Sequence, residues 1–95
     1  MRRALLLVVV AACAQRSPPR ATAADATRGN VELAELQAGR KLLLGKCAGC
    51  HNTPMPDDHS AGEWPGMLAE MAARANLDLG QRKLIEKYLV TMATR

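Results

Sequence analysis

The sequence contains no phenylalanine, a single tryptophan (Trp64) and a single tyrosine (Tyr88). With almost no aromatic faces for bases to stack on, and no basic stripe to follow phosphates, nucleic acid is excluded as a partner. The same shortage leaves a core poor in large side chains and rich in alanine. Long apolar runs are also missing. Ala4 to Ala12 is too short for a bilayer-crossing helix, which needs about twenty apolar residues. No paired carboxylates or nucleophile–base constellation can be assigned from the sequence, so nothing marks the chain as a hydrolase or transferase. No internal repeat is present.

What the N-terminus does have is a basic start, Arg2-Arg3, followed directly by that short apolar run. This is the pattern of an export signal, and residues 1–12 are set aside from the fold. Val10-Ala11-Ala12-Cys13 resembles the lipobox of bacterial lipoproteins, which implies cleavage before Cys13, lipidation of its thiol and a membrane anchor. The competing reading is ordinary cleavage after an Ala-x-Ala site, at Ala12-Cys13-Ala14 or Ala21-Thr22-Ala23. Both routes lead to the periplasm. Residues 13–30 are short on large apolar groups and contain Pro18-Pro19, so they read as a flexible tether.

The remaining 65 residues, 31–95, form one small domain. At that size a core of side chains alone is marginal. Removing the signal leaves eleven Lys/Arg against nine Asp/Glu. Arg40, Lys41 and Lys46 gather on one stretch, either as a solvated helix face or as a guide toward an acidic partner.

The chemistry concentrates at Cys47-Ala48-Gly49-Cys50-His51. Two thiols at this spacing, followed at once by an imidazole, are what covalent c-type haem attachment requires. The thiols add across the porphyrin vinyl groups as thioethers, and His51 then serves as proximal iron ligand. A thioredoxin-like dithiol is the first rival, but no alternating β-branched strand precedes Cys47. A closed zinc site is the second, and it has only His59 nearby as a fourth donor. Haem would also supply the apolar mass that the core lacks, and its propionates would bring the net charge close to zero.

Periodicity predicts three main helices. Val31 to Cys47 carries Leu33, Leu36, Leu43 and Leu44 at helical spacing, with Asn30 as its N-cap. Asn52 to Ser60 is a loop by its prolines and the Asp57-Asp58 pair. Ala61 to Ala75 follows, with Ser60 and Glu63 at capping-box spacing, Pro65 near the start and Asn76 at the end. Trp64, Leu68, Met71 and Ala75 fall on one face, with Met67 beside them. Leu79 to about Ala93 is the third, with the apolar stripe Leu84, Ile85, Tyr88, Leu89 and Met92.

Gly39, eight residues before Cys47, and the segment Ile85-Glu86-Lys87-Tyr88-Leu89 give the chain a resemblance to class I cytochromes c. It runs from about Gln37 to Leu89, and Leu43 stands where that family usually has an aromatic. The resemblance implies a small all-α, cytochrome c-like domain wrapped around one covalently attached haem. It implies that a helix crosses closely at Gly39, and that the carbonyl of Pro54 or Pro56 accepts the Nδ1 proton of His51. Trp64 precedes Met71 by seven residues, a spacing similar to that of short bacterial cytochromes c with an axial methionine. This singles out Met71 as the distal ligand, with Trp64 packed on the haem edge. His59, Met67 and Met92 remain alternatives, as does an open site.

The expected function is electron transfer as a periplasmic monohaem carrier, not an enzyme, working between a reductase and an oxidase or second cytochrome. Two other classes stay open. One is a five-coordinate haem sensor or small-ligand binder; the other is a haem relay subunit fixed to a larger oxidoreductase.

Overall fold

The computed structural model describes residues 16–47 and 53–95, and among them the chain is all-helical, with no strand. The elements are α1 (Ala23–Gly29), α2 (Leu33–Lys46), a short 3-10 turn (Pro56–Asp58), α3 (Trp64–Arg74) and α4 (Leu79–Ala93). Cys13 and the stretch 48–52, with Cys50 and His51, lie outside the described residues.

The main packing is α2 against α4. Leu36 and Leu43 of α2 and Ile85, Tyr88 and Leu89 of α4 are buried in one apolar cluster with Cys47, Trp64, Leu68 and Met92. Each buried aliphatic side chain is worth about 2 kcal/mol, whereas the exposed Lys87–Glu35 ion pair across the same helices is worth under about 1 kcal/mol. Apolar burial therefore holds the pair together.

The approach is close because of Gly39, which is itself buried. A Cβ at that position would lie 2.1 Å from the Leu84 carbonyl oxygen and 2.9 Å from Tyr88 Cβ. Backbone of α4 occupies the space where a side chain would be.

Helix α4 begins where its sequence predicts. Asp78 Oδ1 accepts from the Gln81 N–H at 2.8 Å and Gln81 Oε1 accepts from the Asp78 N–H at 3.1 Å, a reciprocal cap. Helix α3 begins later than the expected Ala61. Pro65 lacks the N–H that the Ala61 carbonyl would need, so α-helical bonding starts beyond it. Ser60 and Glu63 close a separate turn instead: the Ser60 hydroxyl donates to Glu63 Oε1 at 2.7 Å and the Glu63 N–H to the Ser60 carbonyl at 3.0 Å. Asn76 ends the helix in the left-handed region at φ 53°, which Asn tolerates.

The expected tether differs most. Helix α1 occupies part of it, capped by Thr22 and Asp25 in a reciprocal box. Asn30, expected to cap α2, instead ends α1 in the left-handed conformation at φ 50°, and Glu32 precedes α2. Seven residues form too short a helix to persist alone, so docking must hold it.

That docking combines apolar packing of Ala26 against the core with a set of polar contacts. Asp25 is buried and accepts from Arg95 Nη2 at 2.8 Å and Nε at 3.0 Å, and pairs with Arg28 Nη1 at 2.9 Å. Arg28 also donates to the Thr91 carbonyl at 3.0 Å. Upstream, Pro18 is buried with its carbonyl accepting from Arg40 Nε at 2.9 Å, and the Pro19 carbonyl accepts from the Tyr88 hydroxyl. Burial pushes that phenol up to about 12, so it stays a donor throughout the physiological range. Counting large apolar side chains does not find this segment because part-buried hydrogen bonds help to order it.

Two predictions follow from these contacts. Gly39→Ala should lower unfolding free energy by about 3 kcal/mol through overpacking, although alanine is the better helix former. Gly45→Ala, where nothing lies within 4 Å of the added Cβ, should raise it by up to about 1 kcal/mol. Chemical denaturation of both variants measures the contrast, and equal effects would contradict the close crossing.

The second concerns acid. Hydrogen bonds from Arg95 hold the Asp25 carboxyl well below the usual carboxylate range. A carboxyl with its folded pKa depressed contributes stability above its unfolded pKa of about 4 and loses it as pH falls further. Asp25→Asn should therefore unfold at lower temperature than the parent at pH 7, with the gap narrowing steadily below about pH 4. A gap that is constant with pH would mean the charge is not what matters.

Candidate functional site

Helix α2 delivers the first thiol. Cys47 is its C-cap, with its N–H donating to the Leu43 carbonyl at 3.1 Å, and its side chain enters the main apolar cluster at 9 % exposure. The segment from Thr53 onward is braced by a short turn. The Met55 N–H donates to Asp58 Oδ2 at 2.9 Å, and the Asp58 N–H donates back to the Met55 carbonyl at 3.0 Å. Met55 and Pro56 are both buried.

Trp64 joins this turn to α3. Its indole Nε1–H donates to the Pro56 carbonyl at 2.9 Å, a bond buried at both ends. The His59 ring stands edge-on to the indole, centroids 4.9 Å apart at 87°, and its Nδ1 lies 3.6 Å from Glu63 Oε2. Hydrogen bonds from Ser60 hold the Glu63 carboxyl below its ordinary range. Arg16 pairs with Asp57 at 2.8 Å on the outside of the turn and lowers that carboxyl, but both side chains are largely exposed and the pair contributes little.

The four expected distal candidates fall in different surroundings. Met92 is 3 % exposed and lies within the core cluster. Met67 and Met71 sit on α3 at three and seven residues from Trp64, part-buried and packed against that cluster. His59 is part-exposed beside Trp64 and Glu63. Thus Cys47, Trp64 and Met92, with Met67 and Met71 packed against them, belong to one apolar neighbourhood.

Among the described residues, no group of three or more His, Cys, Asp or Glu side chains could hold a metal ion by itself. A haem brings its own equatorial donors, so the chain must supply only thiols, an imidazole and one further axial group. Cys47 and the part-buried thioethers of α3 fit that requirement. Cys50 and His51, expected as the second thiol and the imidazole, lie outside the described residues.

Two features of this region escaped sequence reasoning. The Trp64–Pro56 bond has no local signature, because it joins residues eight apart through a loop. The docking of α1 left a partial trace in Thr22-Ala23-Ala24-Asp25, a capping-box spacing. No helix among the described residues is long and apolar enough to cross a membrane. No family model, curated protein or solved structure matches this chain.

The surroundings of Met92 predict a packing role. Met92→Ala should cost about 3 kcal/mol of stability, while Met92→Leu, which keeps the volume and removes the sulfur, should cost under about 1.5 kcal/mol. Equilibrium denaturation distinguishes the two, and an equally severe loss in both would point to a function for the sulfur.

Proposed function

We propose that this chain is a periplasmic monohaem c-type cytochrome that carries electrons between redox proteins. One haem c is held by thioethers from Cys47 and Cys50, with His51 as proximal and Met71 as distal iron ligand. The finer architecture, a cytochrome c-like wrap of helices around that group, belongs to the same proposal. So does anchoring through a lipid on Cys13.

The observation that carries this reading is the pairing of motif and crossing. A Cys-x-x-Cys-His sequence starts at the end of a helix whose Gly39 accommodates the Leu84 carbonyl and Tyr88 of α4. The clustering of Met67, Met71 and Trp64 around the same core adds a distal candidate on one helix.

When bound, the haem supplies a reversible one-electron couple in which no bond breaks. The chain supplies fixed ligands and shelter from water. The carbonyl of Pro54 or Pro56 is the proposed acceptor for the His51 Nδ1 proton, Pro56 having a second lone pair beside the one that accepts from Trp64. That bond would orient the imidazole and strengthen it as a donor. Met71, a neutral thioether, would favour the ferrous state and raise the potential.

The test is an absorption spectrum of protein exported together with haem-maturation machinery. A low-spin c-type spectrum with the weak far-red sulfur-to-iron band is expected, and Met71→Ala should abolish the band while leaving haem attached. A high-spin spectrum that shifts with carbon monoxide would replace the carrier with a ligand-binding protein. Protein without haem would overturn the reading.

A further inference from the structure

Trp64 is the first residue of α3, 1 % exposed, and its only polar atom is spent on the Pro56 carbonyl. Pro56 belongs to a turn that is closed on itself by the Met55 and Asp58 hydrogen bonds. The turn begins a few residues after His51, and α3 presents Met67 and Met71 one and two turns beyond the indole. A single buried bond therefore joins the segment that follows the proximal ligand to the helix that carries the distal candidates.

We propose that Trp64 is a positioning residue, whose indole N–H to Pro56 carbonyl bond sets the spacing between the post-motif turn and the methionine face of α3. This rests on the haem reading above and gives Trp64 a role beyond packing on a haem edge. The indole ring fills the core, while its N–H fixes register. Without the N–H, the Pro56 carbonyl loses its buried partner and α3 is free to shift along the turn. The sulfur on α3 then competes less well for iron against an external ligand.

Replacement of Trp64 by benzothienylalanine tests this, because it keeps the bicyclic shape and removes only the donor. The chain has one tryptophan, so residue-specific replacement touches no other position. In the exported parent protein, the indole N–H should exchange slowly with solvent. In the analogue, haem should remain attached and helix content unchanged. The far-red band should weaken, and carbon monoxide should bind the reduced form about tenfold more tightly. Trp64→Phe should move both readouts in the same direction. Haem retained with an unchanged band and unchanged carbon monoxide affinity in the analogue would overturn this proposal alone. Absence of haem from the parent protein would overturn the underlying reading and this proposal with it.

Discussion

The α2–α4 crossing at Gly39 is the constraint on which the rest depends. An added Cβ would fall 2.1 Å from a backbone oxygen, so the two helices approach backbone to backbone. That proximity lets Leu36 and Leu43 reach Ile85, Tyr88 and Leu89, and it directs the end of α2, with Cys47, into the same cluster. A chain without phenylalanine has few ways to build a core. Close approach substitutes for bulk, since small separations let short side chains fill the space between helices.

The N-terminal segment completes the crossing from outside. Arg40 of α2 and Tyr88 of α4 bond successive carbonyls, of Pro18 and Pro19, so one short stretch spans both helices. Prolines suit that task because their backbone is largely ordered before docking and loses little entropy on being fixed. Asp25 then ties α1 to Arg95 beyond the end of α4. The charge is buried, but two guanidiniums and the Thr22 N–H offset its desolvation. Residues that looked like a mere leash are thus structural members of the domain.

The helices α2, α3 and α4 were legible because each carries an apolar stripe at helical spacing, and the Gly39 crossing was legible from the resemblance that Gly39 and Tyr88-Leu89 carry. What was not legible shares one property. Asp25–Arg95, Arg40–Pro18 and Trp64–Pro56 are polar contacts whose partners are set by tertiary placement. Periodicity reports which face a residue occupies, not which carbonyl waits opposite it. The start of α3 departs from its spacing for a related reason: Ser60 and Glu63 have capping spacing, but Pro65 decides where α-helical bonding can begin.

Burial separates the methionines in a way that spacing alone could not. Met92 shares the stripe of Tyr88 and Leu89 and is enclosed like them, so its sulfur is surrounded by protein. Met67 and Met71 keep part of their surface outside the core, on the helix that Trp64 fastens to the turn. A thioether committed to packing has no face left for a ligand bond, whereas one at the margin of the cluster has. On the haem proposal, that difference in burial is what sets the two α3 methionines apart from Met92. The part-buried pair lies on α3, the helix that also carries the tryptophan-to-methionine spacing.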